Sequence, residues 1–230
     1  MKLSVVVPVC GQLNYTRECF NHLRAHTAEY ELIVIDNGSP KQEFKFLVEA
    51  MQKACSVTCV ISHFQNMGVT QAWNEGIDKA TGEFIVFLNN DVIVVPGWAD
   101  RLIAHMQNNS DIWCICPQST AGVMAPTFSV DATNCANRKP EVAPGFIGWC
   151  FMLRRSRLRS IFPDGHFDRR FKVWYGDTDL HETLAKVGHP AMQANNVLIH
   201  HFESRTLRTI PEVGAQIAED AKEFEEKWRS

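Results

Sequence analysis

Asn89, Asn90 and Asp91 directly follow the apolar run Phe84–Leu88. A carboxylate at the carboxyl end of a buried strand is placed to hold a hard cation, and open α/β sheets bind their ligands at that end. A cation there can hold the diphosphate of a nucleotide. Pro8 and Val9 close an earlier apolar run, where backbone groups can meet a base. Asp36 closes a second run, and its carboxylate can accept hydrogen bonds from a base N–H or a ribose hydroxyl. With Asn37 and Gly38 it also has the makings of an Asx-type turn. Gly68 allows the backbone close to a ligand. Asn66 can border that ligand, although Asn66 or Thr70 can equally cap the helix that follows. Asp177 and Asp179 open a later helical stretch. A carboxylate there serves as a general base when a hydroxyl lies within hydrogen-bond reach. Acidic residues at a helix start also simply favour the helix dipole.

These residues need strands and helices to bring them together. LSVVVPV (3–9), ELIVIDNGS (31–39), VTCVIS (57–62), EFIVFL (83–88) and DIWCIC (111–116) read as strands, the first two as strands buried on both faces. Helical patterns separate them at 14–27, 41–54, 69–80 and 96–107, with Asn14 as the first cap and Pro96 as the start of the fourth. Strands alternating with helices predict an α/β fold, Rossmann-like, with a mainly parallel central sheet flanked by helices. Neither a G-x-G-x-x-G turn nor a P-loop is present, which removes most support for dinucleotide or ATPase chemistry. Residues 117–146 lose periodicity and read as a long irregular excursion. An apolar stretch centred on GWCFML follows, then a helix over 177–188, a strand over 191–200 and a charged amphipathic helix over 211–229.

With 230 residues, 45% of them hydrophobic and 21% charged, the chain fits one sizeable globular domain. A net charge of −3 gives no general attraction to nucleic acid or anionic membrane. The basic run Arg154, Arg155, Arg157 and Arg159, with Arg169, Arg170 and Lys172 beyond it, can still meet phosphates, but such runs are more often a solvated helix face. The eight cysteines have neither zinc-knuckle nor CxxC spacing, so reduced, mostly buried thiols are expected. No apolar run approaches the roughly 20 residues of a membrane helix. MKLSVVVPVCG is too strand-like for a signal peptide. The expected location is the cytoplasm, with any lipid-linked acceptor met peripherally at the inner membrane face.

SVVVPVCG, IVIDNGS, NMGVTQAWNEGIDKATGEFIVFLNND, and GWCFMLRR followed by GHFD, YGDTDL and HHFES occur in one order. In that order they resemble the family 2 glycosyltransferases over about residues 3–206. The resemblance implies a GT-A fold in a single domain over 1–230. Residues 1–116 would form its nucleotide-sugar half, 117–210 its acceptor and catalytic half and 211–230 a C-terminal helix. It implies inverting transfer from a UDP-, GDP- or dTDP-linked sugar to a glycan or lipid-linked acceptor. Pro8, Val9, Asp36, Asn66, Gly68, Asn89 and Asn90 fall on its donor-binding positions. The family's DxD is here Asn89-Asn90-Asp91, leaving Asp91 as direct ligand to Mn²⁺ or Mg²⁺. His201 of HHFES matches a second ligand, and an imidazole nitrogen favours Mn²⁺. In YGDTDL, Gly176 replaces the family's Glu, and Asp177 matches the base that deprotonates the acceptor. Trp149, Asp168, Trp174, Tyr175 and Asp179 fall on the acceptor side, the aromatic ones as sugar platforms or as core.

The departures at Asn89 and Gly176 motivate a second reading, a sugar-nucleotide or glycan binding protein without catalysis. The basic run motivates a third, a glycosyltransferase acting on nucleic acid, which the overall charge makes an unlikely partner.

Overall fold

The structure, a computed structural model, describes residues 3–43, 57–119, 138–202 and 213–229. The β-branched run Leu3–Val9 forms β1, followed by α1 (Leu13–His26), β2 (Tyr30–Asn37), β3 (Val57–His63), α2 (Val69–Lys79), β4 (Phe84–Leu88) and β5 (Val92–Ile93). Then come α3 (Trp98–Asn108), β6 (Cys114–Ser119), β7 (Val142–Pro144), β8 (Cys150–Arg154), the short α4 (Leu158–Ile161), α5 (Gly176–Lys186), β9 (Met192–His201) and α6 (Val213–Trp228). Among the described residues these strands make one nine-stranded sheet in the order β3-β2-β1-β4-β8-β6-β9-β5, with β7 also on β9. β3, β2, β1 and β4 are parallel. β8 runs antiparallel between β4 and β6, and β6 and β9 are again parallel. The sheet is thus mainly parallel, as predicted, with β8, β7 and β5 reversed.

Alternation along the strands divides the core in two. Val5, Val7, Leu32 and Val34 face α1 and α3, whose Phe20, Leu23, Trp98 and Leu102 are buried there. Val6, Ile33 and Ile35 face the opposite layer with Trp73 of α2 and Leu180 and Leu184 of α5. A strand covered on both faces has no polar side to show, so β1 and β2 read as unbroken apolar runs.

Several boundaries differ from the sequence expectation. Helix α1 begins at Leu13 because Gln12 takes a left-handed conformation (φ 58°), and Asn14 lies inside the first turn rather than capping it. Helix α3 begins at Trp98 after a left-handed Gly97, two residues beyond Pro96. The strand expected from 111 starts at Cys114, since Asp111 and Ile112 close a turn on Asn109. Part of the predicted irregular excursion is ordered: Val142–Pro144 pairs with β9, and the Asn195 side chain holds both Lys139 O and Glu141 N. Most of the helix expected over 41–54, the start of the one from 211 and the Glu-Ser of HHFES lie outside the described residues. The six described cysteines are free thiols, four of them buried. Among the described residues no helix is long and apolar enough to cross a membrane.

Part of the basic run is structural, while Arg155, Arg159 and Arg169 are exposed. Arg154 donates to Met106 O at 2.5 Å and lies over Phe84, Arg157 lies over Trp113, and Arg170 pairs with Asp168 and Glu223.

Helix α6 clamps the segment that leads into α5. Asp220 is fully buried, and its Oδ2 accepts the backbone N–H of Val173 at 2.7 Å and of Trp174 at 2.8 Å. Removing that carboxylate leaves two part-buried backbone donors without their acceptor. Asp220→Ala is therefore expected to cost about 3 kcal/mol of stability, read as a lower urea midpoint. A midpoint equal to the parent's would remove the clamp from this account.

Candidate active site

The carboxyl ends of β1 and β4, the start of β8, the end of β9 and the first turn of α5 converge on a cavity of about 330 Å³. Pro8 and Val9 form one wall, Asn89, Asn90 and Asp91 another, and Asn66, Trp149, Trp174, Asp177 and His201 complete the predicted set that lines it.

Asp91 and His201 meet because β5 pairs antiparallel with β9, with Val92 opposite His201. The His201 Nε2 lies 3.0 Å from Asp91 Oδ1, and both side chains are buried. Their approach lacks hydrogen-bond direction, so Nε2 has no hydrogen-bond partner. A buried imidazole nitrogen beside a buried carboxylate oxygen, with neither satisfying the other, suits a pair of ligands to a divalent cation. Among the described residues no third His, Cys, Asp or Glu joins them. His201 is held in place by stacking on Trp149, with centroids 4.8 Å apart and planes at 16°. Trp149 therefore turns one face to His201 while lining the cavity. His200 points elsewhere, edge-on to Phe202.

Asn90 lines the cavity, but its amide nitrogen donates to Thr16 Oγ1 at 2.8 Å, fastening the loop to α1. Asn89 is held through its backbone N–H, which donates to Trp149 O. Asp36 is buried behind the wall, where its oxygens accept from Ser39 N and Ser62 Oγ, the Asx-type turn anticipated as its other use. The neighbouring Asn37 reaches the cavity instead. Its amide donates to Asn66 Oδ1 and Gly68 O and accepts from Met67 N, so β2 carries the 66–68 loop. Gly68, at φ 97°, is not in the lining, and a Cβ there would sit 2.9 Å from Lys172 Cα.

Asp177 stands at the start of α5 with its carboxylate against Gly148. A Cβ on Gly148 would lie 1.8 Å from Asp177 Oδ2 and 2.5 Å from Asp177 Cβ, so no other residue fits without moving the helix. Burial pushes the Asp177 carboxyl above the ordinary aspartate range, and hydrogen bonds from Thr178 only partly offset this. That is the direction a general base needs. Gly176, the departure from the family pattern, has a local cause: a Cβ there would come within 2.5 Å of Thr70 Cγ2.

The remaining acceptor-side candidates are not brought to the cavity. Asp179 accepts from Lys227 Nζ at 3.0 Å and Trp228 Nε1 at 2.8 Å, both from α6. Burial raises the Asp168 carboxyl, but hydrogen bonds from Arg170 and Lys227 outweigh it and hold it well below the usual range. Tyr175 takes a left-handed conformation before α5, and its ring packs on Phe224. All three fasten the segment over 168–179 to α6. Sequence reading missed Asn37, Trp73, Gly148 and Lys172 in the lining. Only Asn37, at the end of a strand, carried a signal.

The fold is of the GT-A glycosyltransferase class. The chain is similar to the solved structure of Staphylococcus aureus TarS in complex with UDP-GlcNAc (TM-score 0.63, 18% identity, 91% of this chain and 61% of that one). It is also similar to the mannosyltransferase PcManGT from Pyrobaculum calidifontis in complex with GDP-Man and Mn²⁺ (TM-score 0.62, 17% identity, 86% and 56%). The model of glycosyl transferase family 2 matches residues 4–162, and the chain belongs to that family. Among curated relatives it is 30% identical to the O-antigen biosynthesis protein RfbC of Myxococcus xanthus, over 92% of this chain and 18% of that protein. It is 29% identical to the undecaprenyl-phosphate 4-deoxy-4-formamido-L-arabinose transferase of Klebsiella pneumoniae, over 48% of this chain and 35% of that one. The chain thus spans a minor part of the length of both relatives.

Proposed function

We propose that this chain is a metal-dependent, inverting glycosyltransferase that moves a sugar from a nucleotide-diphosphate donor to an acceptor hydroxyl in polysaccharide synthesis. One observation carries the reading: a single cavity holds both a cation-suited pair, Asp91 and His201, and a separate half-buried carboxylate, Asp177. Residues 1–116 serve as the donor half and 117–210 as the acceptor half, with α6 bracing the second.

The donor's base and ribose lie against Pro8, Val9, Asn37 and Asn66, near Asp36, and its diphosphate lies toward Asp91. A divalent cation bound by Asp91 and His201, Mn²⁺ in preference to Mg²⁺ because of the imidazole, would offset the charge that builds on the leaving diphosphate. Asp177 takes the proton from the acceptor hydroxyl as its oxygen forms a bond to the anomeric carbon. The bond from that carbon to the diphosphate oxygen breaks on the opposite face, so configuration inverts. The solved likenesses carry UDP-GlcNAc or GDP-Man, which supports a nucleotide sugar as the donor class.

The reading is tested by thermal shift with UDP, GDP, CDP and dTDP, each with and without Mn²⁺. One nucleotide is expected to stabilise the protein only when Mn²⁺ is present, by about 2.7 kcal/mol at about 100 times its dissociation constant. Stabilisation by none of the four would overturn it.

A further inference from the structure

Of the basic residues between 154 and 172, Lys172 alone lines the cavity that holds Asp91 and His201. We propose that the Lys172 ammonium binds the diphosphate of the donor, whether or not a metal ion is present. The proposal rests on the function proposed above. It adds a donor-binding residue that lies outside the segments carrying the family resemblance and beyond residues 4–162 matched by the family model.

The root of this side chain is fixed on both sides. Lys172 O accepts the Val69 N–H at 2.6 Å, and Phe171 O accepts the Thr70 hydroxyl at 2.5 Å. On the other side Asp220 accepts the N–H groups of Val173 and Trp174. Gly68 lies against the same backbone, where a Cβ would stand 2.9 Å from Lys172 Cα. A side chain on a held backbone has less freedom to lose on binding than one on a loose loop. The head, by contrast, is free to meet an oxygen. Lys172 is exposed, and among the described residues its ammonium makes no ion pair.

Position points to the diphosphate. Lys172 is rooted between the 66–69 loop, whose Asn66 and Val69 line the cavity, and Trp174 and Gly176, which lead to Asp177. A donor laid from Asn37 and Asn66 toward Asp177 has its diphosphate between those ends, alongside Lys172. Charge agrees. Asp91 and Asp177 line the same cavity, and a carboxylate there repels an incoming anion. Asp91 also offsets part of the charge of a divalent ion that it holds, and the Lys172 ammonium adds to what is left. A lysine is a compact point charge suited to phosphate oxygens. It would also face the leaving group as negative charge builds there.

Calorimetric titration tests the assignment on the parent, Lys172→Met and Lys172→Arg. The probes are UDP, GDP, CDP and dTDP, the corresponding nucleosides, and UDP-glucose beside UDP-glucuronic acid, each with and without Mn²⁺. Lys172→Met keeps the apolar stem and removes the charge. It is expected to weaken the preferred nucleoside diphosphate about tenfold, the worth of one charge-assisted hydrogen bond, both with and without Mn²⁺. That sets it apart from Asp91→Ala, whose loss is confined to the Mn²⁺-dependent part. The loss should shrink as salt is raised, since an exposed charge is screened. Lys172→Arg should bind the diphosphate more tightly than Lys172→Met. The melting temperature of the unliganded protein should be the same in all three. Equal diphosphate affinity in Lys172→Met and the parent, or an equal loss for the nucleoside, would overturn the assignment and leave the donor-site reading standing. A loss seen with UDP-glucuronic acid alone would overturn it too, by placing the ammonium on a sugar carboxylate. A parent that binds none of the nucleotides would sink both readings.

Discussion

Asp177→Asn is expected to lower sugar transfer by about 10²- to 10⁴-fold, the usual worth of a positioned base, and to leave nucleotide affinity unchanged. Asn has the shape of Asp and can still accept the Thr178 N–H, which is 2.8 Å from Asp177 Oδ1. It cannot take a proton. Among the described residues no neighbouring carboxylate is placed to substitute. Asp179 is tied to Lys227 and Trp228, Asp168 to Arg170 and Lys227, and Asp91 stands beside His201. The pH dependence follows the same logic. A base works in its ionised form, and burial raises the pKa of Asp177. Activity should therefore fall on the acid side with a midpoint above that of an ordinary aspartate, and this limb should be missing from whatever activity Asp177→Asn retains. Profiles of kcat/KM against pH for both proteins provide the check. Near-parental transfer in the variant, or an acid limb that persists in it, would remove Asp177 as the base.

Asp91→Ala is expected to abolish the part of nucleotide binding that depends on Mn²⁺, a loss of at least about 100-fold, or about 2.7 kcal/mol. The magnitude follows from how few ligands the described residues supply. Among the described residues only Asp91 and His201 form the site, and the first position of the family's acidic motif is Asn89, which cannot bring a second negative charge. With Asp91 gone, one imidazole remains, too little to hold a hard cation against water. Calorimetric titration of the nucleotide with and without Mn²⁺ separates the terms: affinity without metal should be similar in the two proteins, and the gain on adding Mn²⁺ should vanish in the variant. A gain of parental size would dismiss Asp91 as a ligand.

What the sequence displayed, and what it hid, divides by range. β1, β2 and β4 were legible because a strand covered on both faces needs an unbroken apolar run. Asp91 was legible because it follows such a run. Its meeting with His201 depends on the β5–β9 register across 110 positions of sequence, and only the resemblance pointed to it. The cap predicted at Asn14 and the helix start predicted at Pro96 gave way to left-handed residues at Gln12 and Gly97, a choice made by how the chain enters each helix. Asp168 and Asp179 look like any carboxylates near an active site until Lys227 and Trp228 arrive from the far end of the chain. Trp73 reads as one more core aromatic and does serve as core, edge-on to Phe151 with centroids 5.3 Å apart, while one side of it also lines the cavity.

Gly148 has a consequence for how such a protein can change. It is a single backbone thickness between two compartments built from different parts of the chain. One is assembled from the ends of β1, β4 and β9, the other from the connection between β7 and β8 and the second turn of α5. Substitutions at 146 or 181 therefore touch only the second compartment, and changes near 37 or 66 only the first. Only the seam at 148 and 177 answers to both. The chain is modular at the scale of a few side chains, since one compartment can be reshaped while the other stays fixed.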